Sequence, residues 1–288
     1  MFDWEDYRHF LSLAGEGSLS AASRVLQVDH VTVARRIAAL EASLGLKLVD
    51  RRARSYNLTA EGERLASLGQ GFTDTSQAID RFARATRPDI GGEVAVSAPP
   101  GMAVRLIAPS LVALRAQNPL ISLRLSGEMR QASLARGDAD LAIRLSRPED
   151  NALVARKIAE MPFGIFGTTR WRELPQSDWA FITYEPNRDD LPQHKWLQAI
   201  IGCRSVVLRS NDVESQSAAA AAGLGLAVLP RYWAALAPNL IEYDVGAGSI
   251  SREVWLVIHG DLRNTPAIRV VADHLAQVLA NALKRSGG

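Results

Sequence analysis

The apolar residues change their repeat once along this chain. Up to about residue 87 they recur at spacings of three and four, the period of amphipathic helices; from Glu93 onward, short runs such as "EVAVSA", "ISLRL" and "DLAIRL" alternate with helical stretches. Such a switch implies two architectures in series, a mainly helical start and an α/β remainder. The chain is long enough for both, since its 288 residues and 47% apolar content support two or three compact units.

Within the first part, Phe10, Leu11, Leu13 and Ala14 close a helix that "GEGS" breaks. Ser18 or Ser20 caps a second helix, "LSAASRVL", because a short hydroxyl side chain satisfies N–H groups that lack partners in a first turn. The turn "QVD" is three residues long and brings Asp29 to the N-cap of a third helix, "HVTVARRIAALEASL", where its charge also favours the positive end of the dipole. Two short helices across so tight a turn, the second amphipathic and basic, read as a helix-turn-helix.

On a helical wheel Val33, Ile37, Leu40 and Leu44 share one side of the third helix, and Arg35 lies almost opposite, flanked by Val31, Ala38 and Ala42. Compact neighbours let the backbone approach a DNA groove while the arginine reaches guanine O6 and N7 or a phosphate. His30 stands at the end that enters the major groove in helix-turn-helix proteins. An ordinary solvated face is the competing reading. For Arg36, nearer the buried edge, a phosphate contact and a salt bridge both stay open.

After Gly45, "LKLVDRRARSYNLT" reads as a two-stranded wing carrying Arg51, Arg52 and Arg54. That cluster suits phosphate or minor-groove contacts, which position a protein without specifying sequence, or else is a solvated loop. Thr59 caps the next helix, with Glu61 and Glu63 in its first turn. Leu65, Leu68, Phe72, Thr75, Ile79 and Phe82 then follow the alternating three-four spacing of a heptad seam, which pairs a helix with its copy. Gly69 and Gly71 oppose this helix by about 1 kcal/mol each, so pairing has to supply what propensity does not. "TRPDIGG" ends the helix and forms a hinge.

The α/β part falls into two sets. The first runs "EVAVSA", the helix "GMAVRLIAPSLVALRAQ", "ISLRL", the short helix "ASLARG" and "DLAIRL". The second runs from "FGIFG" through "VVLRS", the helix "DVESQSAAAAAG" and "LAVLP" to "REVWLVIHG", before a last helix that begins at Thr265 and Pro266.

Charge and motifs exclude several functions. The net charge of +2 gives no global basic field, so a nucleic-acid partner would meet a local patch. One cysteine, Cys203, allows no internal disulfide; it is a small inert residue or, alternatively, a redox sensor. His9, His30, His194, His259 and His274 show no ligand spacing, so no metal is expected. "GLGLAV" lacks the third glycine of a dinucleotide fingerprint, and nucleophile-elbow, phosphate-loop and zinc-protease motifs are missing, which leaves neither a cofactor nor catalysis to expect. The acidic start "MFDWEDYRHF" is no export signal, and no run reaches the roughly 18 apolar residues of a membrane span, so the expected address is cytoplasmic.

Taken in order, "FLSLAGEGSLSAASRVLQVDHVTVARRIAALEASLGLKLVDRRARSYNLTAEG", "LARGDADLAIRLSRPED" and "SNDVESQSAAAAAGLGLAVLPR" resemble a LysR-type transcriptional regulator. The resemblance implies a winged helix-turn-helix over residues 1–60 and a dimerisation helix over 61–87. It implies a regulatory domain over 88–288 made of two Rossmann-like α/β lobes, similar to a periplasmic binding protein. Lobe I would span 88–161 and 266–288, and lobe II 162–265. The implied partners are double-stranded promoter DNA, a small-molecule effector, a second copy through the long helix, a homotetramer and RNA polymerase, with no membrane.

The family's DNA-contacting positions fall on His30, Val31, Thr32, Ala34 and Arg35. Here His30 replaces the usual glutamine, Val31 a proline or serine, Ala34 a serine and Asp29 the usual serine cap, so operator preference does not carry over. The implied effector positions are Ser97, Ala98, Pro99, Pro100, Gly101, Met102, Ser126, Arg144, Phe166 and Asn211. A strand end meeting a helix start attracts carboxylates, although two prolines remove two N–H donors there. The alternatives are a solute-binding protein with an N-terminal extension and an enzyme on an α/β scaffold.

Overall fold

The structure, a computed structural model, describes residues 2–50, 56–85, 90–127, 134, 139–186, 188 and 190–285. The chain divides into two compact units, Met1–Ile79 and Asp80–Gly288.

In the first unit each helix begins and ends where its sequence provides a cap. Helix α1 (Trp4–Glu16) starts at Asp3, whose carboxylate accepts from the Glu5 N–H at 2.8 Å, and closes on Gly17 at φ 71°. Helix α2 (Leu19–Leu26) starts at Ser18, whose Oγ accepts from the Ala21 N–H at 3.2 Å. Gln27 then takes φ 55°, the left-handed conformation that fits the turn into three residues. Helix α3 (His30–Leu44) starts at Asp29, which accepts from the Thr32 N–H at 2.6 Å and the Thr32 hydroxyl at 3.0 Å. These bonds hold the Asp29 carboxyl below the usual carboxylate range. Tyr7, Phe10 and Leu13 of α1 close over Val33, Ile37 and Leu40 of α3 to form the core.

The wing is a two-residue antiparallel ladder of β1 (Val49–Asp50) and β2 (Asn57–Leu58), with Val49 opposite Leu58. Its anchor is a carboxylate that the hydrophobic pattern did not single out. Glu41 is only 4% exposed, and its Oε1 accepts from the Leu48 N–H at 2.8 Å and the Val49 N–H at 3.3 Å. Helix α4 (Ala60–Ala85) follows, with the Thr59 Oγ1 accepting from the Gly62 N–H at 3.0 Å. The glycines that weaken α4 have a packing reason in two cases. A Cβ on Gly62 would strike the Leu48 carbonyl oxygen, and one on Gly69 would strike the Leu11 side chain and the Tyr7 hydroxyl; Gly71 faces open space.

The second unit carries, among its described residues, nine strands in one sheet. Strands β3 (Gly92–Ala98), β4 (Ile121–Gly127) and β5 (Leu141–Arg144) are parallel, in the order β4-β3-β5. Between β3 and β4 the chain is helical from Pro100 to Gln117: α5 (Pro100–Met102), a π turn (Ala103–Ile107) and α6 (Ala108–Gln117). The π turn lies just before Pro109, which has no N–H to offer the Arg105 carbonyl and whose ring would crowd it; the Ala108 N–H bonds instead to the Ala103 carbonyl. Only Leu134 of the expected "ASLARG" helix is among the described residues, where it is buried against Ala95, Ala142 and Val257.

Strand β6 (Leu153–Gly167) is fifteen residues long and pairs antiparallel with β11 (Ile250–His259) from Leu153 to Phe163. Its far end pairs with β9 (Leu226–Pro230) and β10 (Ile241–Tyr243), and β9 joins β7 (Phe181–Thr183), which joins β8 (Val206–Arg209). Helices α7 (Pro192–Ile201), α8 (Val213–Ala221) and α9 (Arg231–Ala234) belong to this half, and α10 (Pro266–Arg285) follows β11.

Two features depart from the expected layout. The stretch "REVWLVIHG" does not stay in the second set, because Trp255 to Ile258 pair with β5. Both long strands therefore belong to both lobes. In addition, β7, α7 and β10 were not anticipated: β7 is three residues long and buried on both faces, so it shows no alternation to read.

Replacing Glu41 with Ala leaves two buried N–H groups without an acceptor, at a cost of about 1–3 kcal/mol each. The expected outcome is a lower melting transition for the N-terminal unit by calorimetry, with the transition of the second unit unchanged.

Candidate functional site

Two sites emerge, one in each unit. On α3 the buried stripe of Val33, Ile37 and Leu40 turns Arg35 outward, into solvent. His30 and Val31 are exposed in the first turn, while Thr32 and Ala34 are half-buried. The Thr32 hydroxyl is bound to Asp29, so its remaining capacity is as an acceptor. Ala38 and Ala42 add little bulk beside Arg35, and the face presents one long donor on an otherwise low surface.

Arg36 has a different role in the geometry. Its Nη1 lies 3.0 Å from Asp6 Oδ1 and 3.7 Å from Asp3 Oδ2, an ion pair between α3 and the start of α1. The Asp6 hydrogen bond raises the guanidinium pKa further. Of the two contacts open to Arg36, the salt bridge is the one present. Arg51, Arg52 and Arg54 lie outside the described residues.

In the second unit a cleft of about 620 Å³ opens at the carboxyl ends of the parallel strands, the position where open α/β sheets bind ligands. Pro99, Pro100, Gly101, Met102, Arg144 and Asn211 line it. Ser97 and Ala98 do not; they are buried within β3, and the Ser97 Oγ accepts from Arg144 Nη1 at 3.2 Å. Ser126 pairs with Ser97 one strand further out and is likewise off the cleft wall. The next residue, Gly127, lies beneath Pro100 at the helix start, where a Cβ would sit 3.3 Å from the Pro100 Cα.

Phe166 is a correction to the expected site. On β6 it alternates with Phe163, so Phe163 faces the cleft while Phe166 packs on the other side of the sheet with Ile182, Leu229 and Ala234. A shift of three residues along a strand reverses the face.

Several lining residues had no sequence signal strong enough to find them. Tyr184 follows β7 directly and Tyr232 follows β9 by two residues. Burial pushes both phenol pKa values up, which keeps both as neutral hydroxyls. Gln193 is buried on α7, Arg188 lies 3.3 Å from Asp190, and Arg252 comes from β11. Finding them required the strand ends, and β7 gave no pattern. Gly101 admits the Trp233 ring where a Cβ would collide with it, and Arg105 lies over the same ring at 4.8 Å.

Cys203 is exposed at the end of α7. Among the described residues no three His, Cys, Asp or Glu side chains group as a metal site, and no helix is long and apolar enough to cross a membrane.

Comparison with known proteins bears on both sites. Residues 4–63 match the model of the bacterial regulatory helix-turn-helix protein, lysR family, and residues 88–280 match the LysR substrate binding domain. The chain is 28% identical to the Mau operon transcriptional activator of Paracoccus denitrificans over 98% of each chain. It is also 28% identical to the AhcY transcriptional activator HvrB of Rhodobacter capsulatus, over 76% of each. Among solved structures, the full-length virulence activator AphB of Vibrio cholerae superposes with a TM-score of 0.61 at 18% identity, covering 96% of this chain and 99% of that one. A full-length OxyR variant from Pseudomonas aeruginosa gives 0.65 at 18%, covering 97% and 96%. These two likenesses concern the fold. A helix-turn-helix match over the first part removes the reading of a solute-binding protein with an arbitrary extension. The chain belongs to the LysR family of bacterial transcriptional regulators, with a DNA-binding helix-turn-helix domain and an effector-binding substrate domain.

Proposed function

We propose that this regulator reads its operator with the exposed face of α3 and is switched by a small molecule in the cleft between the two α/β lobes. The observation that carries the DNA reading is Arg35, which points to solvent directly opposite a closed hydrophobic stripe, on a helix whose amino end is fixed by the Asp29 cap. His30, Val31, Thr32 and Ala34 share the contact, with Arg35 reaching a base edge or phosphate. Arg51, Arg52 and Arg54 hold the backbone beside it. Arg36 acts indirectly, by tying α3 to α1 through Asp6.

Effector binding closes the lobes about the shared strands β6 and β11 and so alters the spacing of paired DNA-binding units. Pairing occurs along α4, where Leu68 is 70% exposed and Ile79 64% exposed on a helix with little other reason to display them. Two such dimers form the tetramer, which acts in the cytoplasm at promoter DNA and contacts RNA polymerase. The chain works by binding rather than by turnover.

Arg35→Ala is expected to weaken operator binding by about 1–3 kcal/mol, or about 5- to 150-fold, in a gel-shift titration with no change in melting temperature. Undiminished affinity in the folded variant refutes the α3 reading.

The double change Leu68→Asp and Ile79→Asp places two charges on the heptad seam. It is expected to sediment as a monomer in analytical ultracentrifugation and to lose cooperative operator binding; an unchanged dimer means that the copies associate elsewhere.

A further inference from the structure

The cleft's charges are not balanced. Its lining includes four arginines, Arg144, Arg147, Arg188 and Arg252, and three acids, Asp190, Asp212 and Glu253. Each acid is already engaged. Asp190 takes Arg188 at 3.3 Å, Asp212 caps α8 by accepting from the Ser215 N–H at 2.8 Å, and Glu253 holds Lys157 at 2.9 Å.

Arg252 is the cation whose position is hardest to explain without a ligand. It is half-buried, and its one hydrogen bond among the described residues runs from Nη2 to the Leu145 carbonyl at 3.0 Å. No carboxylate of the described residues lies in ion-pair contact with it, although a guanidinium carries five N–H donors. Burial pushes its pKa down, the sign of a desolvated cation without full compensation. In the same cleft, Tyr184 offers a neutral hydroxyl. Gln193 is only 4% exposed, and its Oε1 has no partner among the described residues.

The neighbourhood of Arg252 on the sheet is apolar. Met161 lies directly across on β6, and Phe163 follows two residues further on the same face; both line the cleft. Met102, Ile143 and Leu191 also line the cleft. Arg252 also lies two residues from the register shift between Val254 and Trp255, on a strand that both lobes share.

We propose that the effector is a small organic carboxylate, held through its carboxylate by Arg252, with its apolar body on Met161 and Phe163 and a hydroxyl or N–H donating to Gln193. This rests on the reading of the cleft as the effector site. A carboxylate matches the planar fork of a guanidinium in two parallel bonds, which no neutral group does. Its position on a crossing strand makes charge recognition and lobe closure one event. A cavity of about 620 Å³ suits a metabolite rather than a bare inorganic ion.

The test uses the full-length protein and reads melting temperature against concentration for benzoate, benzamide, benzylamine, hexanoate, hexanamide and inorganic phosphate. Benzoate or hexanoate is expected to raise the transition, while the amides, the amine and phosphate leave it unchanged. Arg252→Gln is expected to weaken carboxylate binding about ten- to a hundredfold, with Arg252→Lys intermediate. The unliganded transitions of both variants report whether the fold survives, and the lysine variant decides if the glutamine variant unfolds. A companion variant, Val213→Trp, fills the cleft from α8. Binding lost in V213W but retained in R252Q overturns the carboxylate proposal and leaves the cleft standing. Binding retained in V213W removes the cleft reading itself. Equal stabilisation by the amides or by phosphate, or no shift with any probe, overturns the proposal.

Discussion

The ladder between Leu153–Gly167 and Ile250–His259 is the interaction on which the regulatory half depends. Its ten paired residues on β11 join a strand that leaves one lobe to a strand that returns from the other. Antiparallel pairing over such a length fixes the register of both, because a slip by one residue would reverse the face of every side chain. Met161, Phe163 and Arg252 are thereby set along one cleft, while Phe166 is committed to the core behind it. The same ladder carries the register shift between Val254 and Trp255, an irregularity that locally disrupts the pairing.

In the first unit the comparable constraint is electrostatic rather than a ladder. A two-residue wing cannot hold itself in water, and Glu41 supplies the missing acceptor from inside the core. Arg36 and Asp6 complete the arrangement by fixing α3 against α1. Polar groups thus orient α3, and the apolar stripe supplies the driving force for burial. Arg35 is left outward because it lies opposite the stripe that packs against α1.

Much of this was legible beforehand, and the reasons are local. Asp29, Ser18 and Thr59 cap their helices because short oxygen-bearing side chains reach the N–H groups two or three residues on, whatever the rest of the chain does. The stripe of Val33, Ile37 and Leu40 identifies the solvent face by period alone. The cleft was partly legible through the family resemblance, which implied Pro99 to Met102, Arg144 and Asn211, and these do line it. Tyr184, Gln193 and Arg252 were not, because β7 is buried on both faces and β11 crosses between lobes.

By itself, then, the sequence determined the order of the elements, their caps and the family to which the chain belongs, since each rests on contacts within a few residues. Tertiary structure alone decided which side chains share a wall. Glu41 meets the wing across seven residues, Arg36 meets Asp6 across thirty, and Arg252 meets Leu145 across 107. Partners at such separations are chosen by sheet register and helix packing, which no local period encodes. The unequal fates of Arg35 and Arg36, adjacent in the chain, follow from that: a rotation of about 100° around the helix separates a solvent-facing donor from a structural ion pair.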